Sequence, residues 1–251
     1  TTVDVIVGEE ESDPIFYIDD LLPHLAGDQM RKSLADGISG EQLNLLSGSR
    51  PFEKNLSEAV KLNILKLLHD KYGITEADLM SAELCAVPAY KARDIGFDRS
   101  LIGAYGHDDK VCAYPSLTAL IAVENPVHTT MAVLADKEEI GSEGNSGMQS
   151  AIYFDIIADL ANTLGVSEAV VRANSKCLSS DVNAAFDPNF PEVNERRNAC
   201  FVNYGVVITK FTGARGKSGS NDASAEFVGY VRNVLDAAGV VWQTSELGKV
   251  D

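Results

Sequence analysis

Beyond Leu101 the sequence alternates between short apolar runs and amphipathic stretches, and this alternation constrains the fold more than any other feature. Helices are expected over Val111–Ala122, within Gly147–Leu164 and over Asp222–Ala238. Strands are expected at Met131–Leu134, within Val170–Leu178, and as one strand or a strand pair over Phe201–Phe211. Strands interleaved with helices of about 10–15 residues imply an α/β fold with a largely parallel sheet, since parallel neighbours need a crossover connection. The first part of the chain reads differently. Val3–Val7, Ile15–Ile18 and Met80–Tyr90 have the apolar content of strands, Gly27–Phe52 is turn-rich, and Arg93–Ser100 reads as a return loop. Between them, Val60, Leu62, Ile64, Leu65, Leu67 and Leu68 fall near helical spacing, with Ser57 placed to cap the start and Gly73 the end.

Charge narrows the function classes. The 251 residues carry 37 acidic and 21 basic side chains, a formal net charge of −16. Such a field repels phosphate backbones, which argues against nucleic acid as a partner. No apolar run approaches the roughly 18 residues of a membrane span. Cys85, Cys112, Cys177 and Cys200 are far apart and form no metal-binding or redox pair, as expected for reduced thiols in a cytoplasmic protein. The chain opens Thr1-Thr2-Val3 without Met and ends Lys249-Val250-Asp251 with no polar tail, which reads as a piece of a longer protein.

Acidic residues gather at strand-to-loop junctions of the second half: His107-Asp108-Asp109-Lys110, Asp136-Lys137-Glu138-Glu139 and Ser179-Ser180-Asp181. In open α/β sheets ligands bind beyond the carboxyl ends of strands, and acids delivered there make a carboxylate cage for divalent cations. The bland reading of each cluster is a solvated loop or helix-start acid. The adjacent Glu138 and Glu139 are the most informative pair. Their side chains diverge on an extended segment, so one can bind a metal while the other remains a base for water. Gly216-Lys217-Ser218 follows a strand but lacks the glycine that a phosphate loop needs, Phe211 standing there instead, so nucleotide binding is set aside.

Taken in order, Tyr105-Gly106-His107-Asp108-Asp109-Lys110-Val111, Asp136-Lys137-Glu138-Glu139-Ile140-Gly141-Ser142 and Ser180-Asp181 with Asp187-Pro188-Asn189-Phe190 resemble the aspartyl aminopeptidase family of dinuclear zinc aminopeptidases. Ile18, Leu21 and His24-Leu25 near the front fit the same pattern. The resemblance implies a zinc-aminopeptidase-like mixed sheet flanked by helices, interrupted by an inserted β-rich oligomerisation domain. Residues 1–99 then correspond to most of the oligomerisation domain and 100–251 to part of the catalytic domain.

The same resemblance implies roles. Asp108 bridges two divalent ions, zinc foremost with cobalt or manganese as alternatives. Glu138 is the general base, Glu139 a ligand of one metal and Asp181 of the other. Lys210 lies on the substrate side, and His24 reaches a neighbouring subunit's site. The implied partners are peptides, an acidic N-terminal residue being one option for the substrate, and further copies of the chain in a dodecamer built from dimers. Two histidine ligands that intact members draw from terminal segments have no counterpart among His24, His69, His107 and His128, and Ala184 stands where some members have a histidine. That departure keeps a second reading open, a catalytically inactive oligomerisation or scaffold protein of the same fold.

Overall fold

The computed structural model describes residues 2–138, 143–211 and 222–246, and the chain divides into two units, 1–105 and 106–251. In the first unit, β1 (Tyr17–Ile18) pairs antiparallel with β2 (Leu45–Leu46), Tyr17 opposite Leu46. Between them run two single 3-10 turns, Gln29–Arg31 and Gly40–Gln42, in the stretch expected to be turn-rich.

Helix α1 (Ala59–Tyr72) forms where the apolar spacing calls for it. It stops at Gly73, whose left-handed φ of 72° lets its N–H reach the His69 carbonyl at 2.8 Å. Its start lies one residue later than Ser57 would set, with Glu58 in the left-handed region. The segment before α1 lies along the helix: Phe52 N–H donates to the Ala59 carbonyl at 2.9 Å, and Asn63 Nδ2 to the Arg50 carbonyl at 3.1 Å. A Cβ at Gly48 would stand 2.5 Å from Ile64 Cδ1, so glycine permits that approach. Short α2 (Glu76–Leu79) opens with a reciprocal capping box between Thr75 and Asp78. The unit ends in a hairpin, β3 (Arg93–Ile95) against β4 (Leu101–Gly103).

The second unit has α3 (His107–Ala122), α4 (Ile152–Leu164), α5 (Glu168–Asn174), β5 (Val206–Thr209), α6 (Ala225–Ala237) and β6 (Trp242–Ser245). β5 and β6 are parallel, Val206 opposite Trp242 through Thr209 opposite Ser245, with α6 in the connection. Ser224 caps α6 by accepting the Phe227 N–H. Gly205 enters β5 at φ 95°, and a Cβ there would lie 2.2 Å from the Val241 carbonyl oxygen. The two strand entries therefore touch through bare backbone. The buried residues here are few: Ala199 and Cys200 are buried, and Ser245, 4% exposed, donates to the Asn198 carbonyl. Gln243 clamps the loop before β5, accepting from Phe201 N–H and donating to the Phe201 and Gly205 carbonyls.

Several sequence expectations are corrected. Val170–Leu178 is not a strand; α5 occupies Glu168–Asn174, held by an Arg172–Glu168 pair one turn apart at 3.3 Å. A short apolar run carries no period that separates strand from helix, and Ser167 followed by Glu168 starts a helix. Val3–Val7, Met80–Tyr90 and Met131–Leu134 lie outside the strands among the described residues. Val3, Ile6, Met80 and Leu84 are exposed there, so their hydrophobicity meets no sheet. Arg93–Ser100 contains β3 rather than only a loop, and the parallel sheet expected of the second half is, among the described strands, the β5–β6 pair. The fold is mixed α/β.

Candidate metal centre

The first carboxylates of the site come from the opening of α3. Gly106 takes φ 77°, and the two residues after His107 depart from helical backbone, Asp108 at φ −85°, ψ 105° and Asp109 at φ −121°, ψ 27°. The peptide bond between the two aspartates is cis. The regular helix begins after them, close to the expected start at Val111. Because neither aspartate has helical geometry, neighbours in sequence present their carboxylates to one place.

Asp181 supplies the third. It lies in a segment without regular secondary structure that follows α5, and its Oδ1 accepts the Val182 N–H at 2.7 Å. One carboxylate oxygen from each of Asp108, Asp109 and Asp181 lies within 4.8 Å of the others. At that separation each pair of negative charges repels by about 1 kcal/mol in water and about 3 kcal/mol at an effective dielectric near 20. A divalent cation removes that repulsion. Asp109 Oδ1 is also buried and has no hydrogen-bond partner among the described residues. An orphaned carboxylate oxygen beside two further carboxylates fits a bound cation, and the all-oxygen donor set suits a hard or borderline one.

Cys112, one turn into α3, reports the same crowding. Burial, first, then a hydrogen bond to Asp109 and the negative charges of Asp109, Asp181 and Asp108 push its thiol from 9.0 up to about 12. This cysteine is a protonated neighbour of the carboxylates.

Glu138 closes the described part of its loop. Asp136 and Lys137 donate their N–H groups to the Ser146 carbonyl at 3.1 and 3.4 Å, and Met148 N–H returns to the Lys137 carbonyl at 3.2 Å. The loop is thus folded back on residues 146–148 and held at its base by Ser150, whose Oγ donates to the Asn145 carbonyl at 2.9 Å. Glu139, with the rest of 139–142, lies outside the described residues, as does the Gly216-Lys217-Ser218 loop. Lys210 directly follows β5 and pairs with Asp222 at 3.5 Å. His24 belongs to the first unit, in an exposed turn closed by the Leu25 N–H on the Leu22 carbonyl at 2.8 Å.

Of the residues singled out from sequence, the structure brings Asp108 and Asp181 together and adds Asp109 to them. Sequence reasoning misses Asp109 because adjacent side chains diverge on helices and strands alike. The available signal was the Gly106 ahead of two acids, a place where a helix can open irregularly.

Comparison with known proteins decides the family. Residues 5–251 match the family described as aminopeptidase I zinc metalloprotease (M18). The chain belongs to the M18 family. A probable M18 family aminopeptidase 1 from Clostridium acetobutylicum is 48% identical over 256 residues, covering 100% of this chain and 55% of that protein. The crystal structure of an M18 family aminopeptidase from Thermotoga maritima superposes with a TM-score of 0.89 at 43% identity, covering 100% of this chain and 56% of the other. A Saccharomyces cerevisiae mApe1 dodecamer shares the fold at a TM-score of 0.55 and 22% identity, over 86% of this chain and 50% of the other. The M18 chain described here therefore spans about half the length of the relatives it matches. Among the described residues no helix is long and apolar enough to cross a membrane.

Proposed function

We propose that this chain carries the acidic metal-binding face of a cytoplasmic zinc aminopeptidase that removes N-terminal residues, acidic ones preferentially, from peptides. The observation that carries the reading is the convergence of Asp108, Asp109 and Asp181 in a chain of a zinc metalloprotease family. Asp108, Asp181 and Glu139 would hold two zinc ions, Asp108 as the ligand they share and Asp181 and Glu139 as ligands of one each. Zinc held there would supply Lewis acidity towards the scissile carbonyl and towards the attacking water. Glu138 takes the proton from the attacking water and delivers it to the departing amine, the work of a general base and then a general acid. Lys210 faces the substrate, its Asp222 pair giving way to a substrate carboxylate.

Residues 1–99 serve assembly and 100–251 catalysis. His24 of one protomer completes a neighbour's site, within a dodecamer built from dimers. The test is hydrolysis of aspartyl, glutamyl and leucyl chromogenic amides by the full-length protein, stripped of metal and then reloaded with zinc. Zinc-dependent release with acidic amides favoured is expected. A zinc-replete, correctly assembled protein that releases nothing would instead make it a scaffold.

A further inference from the structure

Asp181 has no helix or strand ladder of its own, so something else must hold its carboxylate where Asp108 and Asp109 meet it. Downstream the segment is stitched to residue 200: Ala185 bridges Cys200, Phe186 N–H donates to the Cys200 carbonyl at 2.8 Å, and Cys200 Sγ donates to the Ala184 carbonyl at 3.3 Å. Two residues after Asp181 the segment is tied to β5. Asn183 Nδ2 donates to Thr209 Oγ1 at 2.9 Å, across 26 residues of sequence.

Thr209 is the last residue of β5, whose register against β6 is set over four residue pairs. Lys210 is the next residue. The Asn183–Thr209 bond therefore joins the segment bearing Asp181 to the strand end bearing Lys210, two residues from one and one from the other. Asn183 Oδ1 is buried with no hydrogen-bond partner among the described residues. Breaking the Thr209 bond would take from this half-buried amide its hydrogen bond to the strand end, so the tie is costly to release.

We infer that Asn183, acting with Thr209, is a positioning residue that sets Asp181 in the carboxylate cluster and fixes its spacing from Lys210. The inference rests on the zinc-peptidase reading and deepens it. Groups that orient metal ligands typically contribute about 10- to 100-fold to metal affinity when removed. The test uses the full-length protein and competition for zinc against a chromophoric chelator. Asn183→Ala and Thr209→Val should each weaken zinc binding at least about tenfold, and the double variant should be no weaker than either single one. Thr209→Ser keeps the hydroxyl and should restore affinity to within a few-fold of the parent. Because Thr209→Val preserves volume, the Val and Ser pair decides the matter even if Asn183→Ala fails to fold.

Additive effects, wild-type zinc affinity in both single variants, or a Thr209→Ser protein as weak as Thr209→Val would each overturn the inference. Asp181→Asn separates the two levels. Loss of zinc there with wild-type affinity in Asn183→Ala and Thr209→Val sinks only the positioning role. Unchanged zinc in Asp181→Asn overturns the metal reading and this inference together.

Discussion

The Cys112 thiol offers a probe of the carboxylate cluster that needs neither metal nor substrate. Thiolate is the reactive form, so alkylation follows the ionised fraction. A thiol moved from 9.0 to about 12 loses three pH units of acidity. At pH 8 that cuts its thiolate fraction by about 1000-fold. Cys112 is of intermediate exposure. Water screens part of the repulsion there, so the expected suppression is at least about 100-fold. The assay is iodoacetamide labelling of metal-stripped full-length protein, read cysteine by cysteine by mass spectrometry. Cys85 and Cys177, both exposed, serve as internal standards.

The sign of the pH dependence follows from the same shift. The folded protein holds the Cys112 proton above the pH at which the unfolded chain releases it. Cys112 labelling should therefore keep rising tenfold per unit from pH 9 towards about 12. The stabilisation linked to this proton is intact below about pH 9 and lost as pH climbs through that window. Asp109→Asn removes both the hydrogen-bonded carboxylate and one charge, and should speed Cys112 labelling at pH 8 by tenfold or more. If Cys112 in the parent protein reacts within tenfold of Cys85, the carboxylates do not crowd it and the cluster is not assembled as described.

Glu138→Gln should lower kcat by about 10²–10⁴-fold with zinc content nearly unchanged, whereas Glu139→Gln should lose zinc; turnover within a few-fold of the parent in Glu138→Gln would remove it as the base. His24→Ala should reduce turnover without changing oligomer size, and mixed oligomers with Glu138→Gln subunits should regain activity; no gain in verified mixtures excludes a shared site. Gly205→Ala must place a Cβ 2.2 Å from the Val241 oxygen at φ 95°. It should cost about 3 kcal/mol or more in urea unfolding, and a loss below about 1 kcal/mol would mean the β5–β6 entry relaxes freely.

Elements with a long period or a strong stop were legible in the sequence. α1 ends at Gly73 and α4 at Gly165, both left-handed glycines after an apolar stripe, and α6 begins at a serine cap. Elements defined by pairing were legible only in part. β1 falls within the apolar Ile15–Ile18 and β5 within Phe201–Phe211, but β2 and the limits of each strand depend on partners distant in sequence, some 28 positions apart for β1 and β2, which no local pattern specifies. Val170 and Val171 look like strand residues and sit in a helix, because Ser167 and Glu168 decide the backbone before the valines can. At the site, Asp108 and Asp181 could be named from their motifs, but Asp109 required the irregular backbone at the start of α3. The hold of Asn183 on Thr209 depends on a tertiary contact between residues that carry no motif.

The most direct test of the central claim is anomalous scattering at the zinc edge from crystals of the zinc-loaded full-length protein. Two zinc peaks should share the Asp108 carboxylate, with Asp181 on one ion and Glu139 on the other. Zinc located away from Asp108 and Asp181, or no zinc in a protein that still hydrolyses peptides, would contradict it.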